Sequence, residues 1–165
     1  MSRLIELPID IPNIGKERLV SQLSHKHEKD PLFAAREFIS NALDAIDDAK
    51  IKDGKIVLAL DPYSRRLIVA DNATGMSQAY MNRLSENIGN SPKYGKIDRR
   101  GEKGVGLLDF GSLGNSLHII SKEREVVNNV YNYINWRREL VSGEERIKAY
   151  REEHLKTEKD LREDF

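Results

Sequence analysis

The sequence predicts one α/β domain, and three features carry the prediction. A long helical pattern begins at Pro31, and two runs rich in β-branched residues flank a turn at 61–64. Two further strand-like runs, at 117–121 and 126–134, enclose a charged turn. A chain of 165 residues with 39% hydrophobic content is long enough for a single core. We therefore expect helices that pack on a β-sheet within one folding unit.

Charge, cysteine content and apolar run length exclude several functional classes. Acidic and basic residues balance at 27 each, so the chain shows no overall preference for nucleic acid or an anionic membrane. The absence of cysteine excludes disulfides, thiolate metal sites and a cysteine nucleophile. The longest apolar runs are too short to cross a bilayer, and residues 1–10 lack the apolar core of a signal peptide. These features predict a soluble, cytoplasmic protein without a membrane partner.

Three segments are predicted: an N-terminal arm with a short helix at 1–30, a core at 31–141, and a charged C-terminal helix or linker at 142–165. In the arm, Arg3 to Ile11 alternates weakly and contains a proline, which suits an edge strand or an extended arm. Residues 144–164 are mostly charged, with few apolar positions. There we favour a solvated helix or linker over a partner-binding arm.

The helix predicted from Pro31 to about Lys50 carries a polar stripe. Four side chains recur at intervals of four, three and four residues and share one side of the helix: Glu37, Asn41, Asp44 and Asp48. Apolar residues flank the stripe, so we expect a well-buried helix. Buried carboxylates need cations, hydrogen-bond donors or a solvated cleft. A phosphate cleft with magnesium and an ordinary amphipathic helix with its acidic side in water both satisfy this requirement.

The second pattern is a strand-like run that ends at Asp71 and enters the loop Asp-Asn-Ala-Thr-Gly-Met. A carboxylate at a strand end can accept a hydrogen bond from the exocyclic amino group of adenine. Gly75 would let the backbone approach a base closely, and Met76 could form a polarisable wall. The same letters are also ordinary turn chemistry, so this pattern alone decides nothing.

The third pattern is a loop from Asn87 to Gly106, rich in glycine and basic residues, before a predicted helix at 107–113. Backbone amides at such a helix entrance can hold phosphate, and nearby lysines add positive charge. The spacing fits neither the Walker loop nor the dinucleotide fingerprint. A flexible surface loop is the alternative interpretation.

Together the three patterns resemble the GHKL superfamily, named for gyrase, heat-shock ninety-kilodalton chaperones, histidine kinases and MutL. Glu37 to Ala45 looks like the asparagine box of that family, 71–76 like its first glycine box, and 101–106 like its second. Their order and separations also match, and the likeness spans 33–114. The residues before the second glycine box look most like those of bacterial, archaeal and Morc-type members.

The resemblance implies the Bergerat fold, a two-layer α/β sandwich in which a mixed sheet lies under helices and ATP lies between the helices and a lid. In this family pattern Glu37 would orient and deprotonate the attacking water, Asn41 would coordinate Mg²⁺, and Asp44 would support the site. Asp71 would bind the adenine amino group, with Gly75 and Met76 shaping that pocket.

The phosphate side of the pocket follows from the same resemblance. Asn87 would lie near the phosphates. The closing lid would place the second glycine box on the phosphates, with one lysine as an additional contact: Gly101, Lys103, Gly104, Val105 and Gly106.

Two departures from the family pattern stand out. Ala73 occupies the place of a family glycine, so the loop must adopt a conformation that tolerates a β-carbon. The later Gly-Thr strand of the family has no counterpart in the sequence, which predicts either a truncated or a minimal member.

The leading functional hypothesis is a magnesium-dependent ATP-binding domain with slow hydrolysis. Lid closure would couple the bound nucleotide, ATP or ADP, to the formation of a homodimer or to the action of an effector domain or client. The arm at 2–11 would be exchanged across such a dimer. The carboxylate of Glu37 favours hydrolysis over phosphotransfer, because histidine kinases commonly have asparagine at the matching place. The alternatives are a non-catalytic nucleotide sensor or scaffold and an α/β interaction domain without a ligand.

Overall fold

The fold combines helices with antiparallel strands. A computed structural model describes residues 3–9, 31–85, 110–126, 130–142, 144–152 and 154–164. In those ranges the helices are α1 (Pro31–Asp48), α2 (Gln78–Leu84) and α3 (Glu158–Asp164). The strands there are β1 (Leu4–Leu7), β2 (Ile56–Asp61), β3 (Arg66–Asp71), β4 (Ser116–Ser121), β5 (Val130–Val141), β6 (Glu144–Glu152) and β7 (Lys156–Thr157).

Helix α1 matches the predicted helix and ends in a Schellman motif. Lys50 adopts a left-handed conformation with φ 52°. Its N–H donates to the carbonyl of Asp47 at 3.1 Å, and the N–H of Ile51 donates to the carbonyl of Ile46 at 3.2 Å. The chain then turns back against the helix at Gly54, where a β-carbon would overlap the side chain of Ile46. This tight return starts β2 beside α1.

The predicted hairpin is confirmed as β2 and β3, paired antiparallel from Ile56 opposite Asp71 to Asp61 opposite Arg66. Asp61 organises the turn, since its Oδ1 accepts the N–H of Tyr63 at 2.9 Å and that of Ser64 at 3.4 Å. These bonds and the Ser64 hydroxyl, which contributes most, lower the pKa of the Asp61 carboxyl.

The larger sheet has the strand order β1-β6-β5-β4, and β7 also pairs with β5. All pairings between described strands are antiparallel, whereas the resemblance implied a mixed sheet. β1 lies at one end of this sheet, which confirms the edge strand expected in the arm. β5 begins at Val130 and continues to Val141, so it is displaced from the predicted run at 126–134.

The expectation of a solvated helix or linker at 144–164 is wrong for β6, although α3 does follow it. β6 alternates between two environments: Ala149 is buried against the core, whereas the neighbouring Lys148 and Tyr150 have polar partners. Lys148 Nζ lies 3.1 Å from Glu6 Oε2, and the Tyr150 hydroxyl donates to Glu139 at 2.8 Å. Cross-strand partners therefore accommodate charged residues in a strand. β6 also joins β5 to β1, while the predicted segment boundaries remain predictions.

One hydrophobic cluster joins the larger sheet to α1 and α2. Its buried members come from β1, α2, the turn after 109, β5 and β6: Leu7, Met81, Phe110, Ile134, Trp136 and Ala149. Phe38 of α1 packs against this cluster. Burial of these apolar side chains is the main favourable contribution to holding α1 and α2 on the sheet.

Helix α2 begins directly after Ser77 and lies beside β5. Ser77 caps it, because its Oγ accepts the N–H of Tyr80 at 3.1 Å. Of the helix predicted at 107–113, residues 110–112 form one 3₁₀ turn, and 107–109 lie outside the described residues. None of the described helices is long and apolar enough to span a membrane.

Candidate functional site

The side chains of the polar stripe on α1 differ in how much of their surface is exposed to solvent. Glu37 is half-buried, Asn41 is exposed, and Asp44 is buried with 2% of its surface accessible. The helix itself is less buried than expected, since Leu32 is 78% exposed and Leu43 is exposed as well. Its covered side contains Ala34, Ala42 and Ile46, whereas these two leucines lie on other sides. Asp48, the fourth member of the stripe, is exposed, so three acidic side chains and one amide share a side of a helix that is only partly covered.

Asp71 lies at the end of β3, a strand that α1 contacts. Its carboxylate is exposed, and Oδ1 accepts the N–H of Ala73 at 2.9 Å. Ala73 is not among the described residues with positive φ, so the loop tolerates the β-carbon that replaces the family glycine. The predicted adenine acceptor therefore stands on the strand beside the helix that carries the polar stripe.

Asn72 has a structural role that the sequence analysis missed. Its Oδ1 accepts the N–H of Lys55 at 2.7 Å, and its Nδ2 donates to the carbonyl of Asp53 at 2.9 Å. Its own N–H donates to the carbonyl of Lys55 at 3.2 Å. Asn72 thus ties the end of β3 to the turn between α1 and β2. An asparagine beside an aspartate at a strand end was the available signal.

The backbone conformation and the close packing at position 75 both require glycine. It has φ 75°, and a β-carbon there would overlap the carbonyl oxygen of Lys122, just after β4. Beside it, the N–H of Arg124 donates to the carbonyl of Thr74 at 2.9 Å. The close approach that is observed is between Gly75 and the segment after β4. The close approach of Gly75 to a base, expected from the sequence, remains a prediction.

Met76 is fixed through both of its main-chain polar groups. Its N–H donates to Ser121 Oγ at 2.7 Å, and its carbonyl accepts from Asn132 Nδ2 at 2.7 Å. The side chain is half-buried against the hydrophobic cluster. Ser121 and Asn132 escaped the sequence analysis because they lie 45 and 56 residues away along the chain and belong to no motif.

Gln78 continues this attachment into α2. Its amide exchanges two hydrogen bonds with the backbone of Tyr133: the Tyr133 N–H donates to Oε1 at 2.9 Å, and Nε2 donates to the Tyr133 carbonyl at 3.2 Å. The first turn of α2 is therefore joined to β5 by a side-chain amide that bonds the N–H and the carbonyl of one residue, as the backbone of a neighbouring strand would.

The predicted phosphate side of the site lies outside the described residues. This holds for Asn87 and for the second glycine box with its lysine and valine: Gly101, Lys103, Gly104, Val105 and Gly106. Their roles remain predictions. The described part of the site consists of the α1 stripe and the loop from Asp71 to Met76.

The donor chemistry on α1 fits a magnesium ion held largely by phosphate and water. In the described ranges there is no group of three or more histidine, aspartate or glutamate side chains that could hold a metal by itself. Mg²⁺ bound with substrate phosphates usually takes one or two protein oxygens and keeps several waters. The exposed amide oxygen of Asn41 suits such a site.

Comparison with known families decides which group the chain belongs to. The family described as histidine kinase-, DNA gyrase B-, and HSP90-like ATPase matches residues 30–164. The chain belongs to this family. Comparison with curated protein sequences gives no match. The family match also includes β6, β7 and α3.

Membership of the histidine kinase-, DNA gyrase B-, and HSP90-like ATPases confirms the resemblance drawn from the three motifs. The fold is the Bergerat α/β sandwich of this family, with an antiparallel sheet and three helices in the described part. The domain is accordingly a GHKL-type ATP-binding domain, and ATP hydrolysis is the general activity of its family.

Proposed function

We propose that this domain binds ATP with Mg²⁺ and hydrolyses it slowly, with Glu37 as the general base. The observation that carries the proposal is that Glu37, Asn41 and Asp44 share one side of α1, and that α1 contacts the strand ending at Asp71. These residues lie within a chain that belongs to an ATPase family.

Glu37 is suited to the proton transfer because its carboxylate is half-buried. It accepts a proton from the attacking water, whose oxygen forms a bond to the γ-phosphorus. The bond from that phosphorus to the β–γ bridging oxygen breaks, and ADP leaves with the electron pair. A histidine kinase would instead need a phosphoacceptor side chain, and no histidine of this chain lies in such a sequence pattern.

Asn41 supplies the protein ligand for Mg²⁺, and the buried Asp44 supports that side of the helix. When bound, Mg²⁺ neutralises the negative charge that builds up on the phosphates. Asp71 accepts a hydrogen bond from the adenine amino group, while Gly75 and Met76 shape the base pocket. The residues of the second glycine box cap the phosphates when the lid closes.

Lid closure is proposed to favour a homodimer or the docking of an effector domain or client. β1 pairs with β6 of the same chain through Leu4 opposite Glu152 to Leu7 opposite Ala149. An exchanged arm would form this same register with a second copy of the chain. The cytoplasm is the proposed location.

Replacing Glu37 with glutamine tests the reaction itself. The Glu37→Gln variant should lose at least about 100-fold in ATP turnover, because the amide cannot take the proton from water. ATP affinity should stay within about twofold of the parent, since one hydrogen-bonding group of the same shape remains. Phosphate release and calorimetric binding, both with Mg²⁺, measure the two quantities.

Asp47→Asn is the matched control, because Asp47 is exposed on the same helix and lies off the polar stripe. It should keep the turnover of the parent. A parent protein that binds ATP but shows no magnesium-dependent turnover would instead support the sensor or scaffold function. Full turnover in Glu37→Gln would contradict the role of Glu37.

A further inference from the structure

The segment from Thr74 to Gln78 lies against β4 and β5 and is held there by side chains as well as backbone. Arg124 bonds the Thr74 carbonyl, Ser121 and Asn132 bond the two polar groups of Met76, and Gln78 bonds the backbone of Tyr133. We call the pair Ser121 and Asn132 the Met76 clamp. These two residues lie directly opposite each other on neighbouring strands.

We propose that the Met76 clamp positions the adenine-binding loop, so that Ser121 and Asn132 are positioning residues for nucleotide affinity. This proposal rests on the proposed function, because it assumes that Asp71 and the loop after it receive the base. Neither residue belongs to the three motifs, and each would act through the main chain of Met76.

Ser121 and Asn132 are buried, which indicates that their hydrogen bonds to Met76 are not replaced by bonds to water. Ser121 is 9% exposed and Asn132 is 7% exposed, so each needs a hydrogen-bond partner within the protein. Each directs a polar atom to Met76 at 2.7 Å. Both main-chain polar groups of Met76 therefore have partners within the protein. The strands β4 and β5, which carry these partners, fix the position of Met76.

Only four residues of main chain, 72–75, separate Met76 from Asp71. Gly75 fits closely against the Lys122 carbonyl, which leaves little room for the loop to shift. At the other end of the loop, the N–H of Ala73 donates to Asp71 Oδ1 at 2.9 Å and orients the carboxylate. A displaced Met76 would therefore turn the carboxylate that accepts the adenine amino group.

The test compares nucleotide affinity in variants of the clamp. Ser121→Ala and Asn132→Ala should each raise the Kd of ATP and of ADP by the same factor, about five- to tenfold, as expected for one hydrogen bond of ordinary strength. The factors should agree because both nucleotides carry the same base. At saturating ATP, turnover should stay within about twofold of the parent, since the proposed role of the loop is at the base, at the opposite end of the nucleotide from the reacting phosphate.

Two variants of β4 serve as controls. Ser121→Thr keeps the hydroxyl and should restore nucleotide affinity. Ser116→Ala removes an exposed hydroxyl from the same strand and should leave affinity unchanged. Hydrogen exchange of the Met76 amide gives a readout without nucleotide: it should be faster in Ser121→Ala than in the parent or in Ser116→Ala.

Each outcome bears on a different statement. Faster exchange at Met76 with unchanged Kd values, or a loss confined to ATP, would overturn the positioning role. Unchanged exchange in Ser121→Ala would overturn the clamp itself. If the parent binds neither ATP nor ADP, the proposed function fails and the positioning role fails with it, whereas the exchange result still decides whether the clamp exists. If Ser121→Ala does not fold, Asn132→Ala decides the affinity question.

Discussion

Asp71 and Asn72 are neighbours at the end of β3 with different roles. Asp71 is exposed and oriented by the N–H of Ala73, as suits a residue that meets a ligand. Asn72 uses both ends of its amide on the turn between α1 and β2. Asn72 therefore fixes the strand end, and the neighbouring Asp71 remains exposed beside it.

Tyr150 gives a prediction at the residue scale. Burial, and then the hydrogen bond to Glu139, raise the pKa of Tyr150 to about 12. The unfolded chain ionises near pH 10, so the stability this tyrosine contributes is present below about pH 10 and is lost as pH rises toward 12. Tyr150→Phe should remove this part of the alkaline loss, as measured by urea unfolding between about pH 9 and pH 11.

The matched control is Tyr63→Phe, because Tyr63 is 98% exposed in the hairpin turn. It should keep the alkaline dependence of the parent. If Tyr150→Phe and the parent lose stability in parallel above pH 10, the assigned pKa shift is wrong.

At the scale of elements, the loop between β3 and α2 is held from two directions. Asn72 anchors its start to the turn before β2, and Ser121 with Asn132 anchors its end to β4 and β5. Between these anchors, Gly75 provides a backbone conformation that other residues rarely adopt. The loop is thus defined by contacts between elements that are distant in the chain.

Gly75→Ala should therefore destabilise the protein by more than about 2 kcal/mol, because φ 75° is strained for alanine and its β-carbon would overlap the Lys122 carbonyl. Gly114→Ala is the control, since a β-carbon there meets nothing within 4 Å. Its free energy of unfolding should change by no more than about 0.5–1 kcal/mol. Urea unfolding measures both, and equal values for the two variants would contradict the observed loop conformation.

At the scale of the whole molecule, a strand near the C-terminal end of the chain lies between strands that come earlier. β6 lies between β1 and β5, and the hydrophobic cluster combines residues from both ends of the chain. The two helices beside the proposed site are connected to this cluster, α1 through Phe38 and α2 through Met81. A ligand that binds the site should therefore stabilise the fold as a unit.

Thermal unfolding with nucleotide tests this expectation. At ATP and Mg²⁺ concentrations of about 100 times Kd, the proposed binding contributes about 2.7 kcal/mol and should raise Tm by about 5–10 °C. Asp71→Asn should reduce this rise at the same concentrations, because the replacement amide weakens the acceptor for the adenine amino group. Equal Tm values for the parent with and without nucleotide would favour an interaction domain without a ligand.

Local chemistry made several elements predictable from the sequence. Pro31 and the apolar spacing after it predicted α1, and the Asp61 turn between β-branched runs predicted β2 and β3. The order of the three motifs predicted the family. The first two signals each lie within one helix or one hairpin, and the third is the order of motifs along the chain, so the sequence alone contains all three.

β6 was missed for a physical reason. Lys148 and Tyr150 have their partners, Glu6 and Glu139, on other strands. The composition of β6, read without these partners, therefore resembles that of a solvated segment. The mean burial of α1 was overestimated for a similar reason, since apolar flanks do not reveal which side a neighbour covers. Propensity is overridden wherever cross-strand partners decide the environment.

By itself the sequence determined the α/β class, the helix with its polar stripe and the motifs that mark an ATPase family. The tertiary structure alone decided that β6 is a strand, that Gly75 is fitted to the Lys122 carbonyl, and that Ser121 and Asn132 hold Met76. The reason is distance along the chain: hydrogen bonds spanning 45 and 56 residues leave no periodic trace, because Ser121 and Asn132 alone look like ordinary polar residues and their partner is the main chain of Met76.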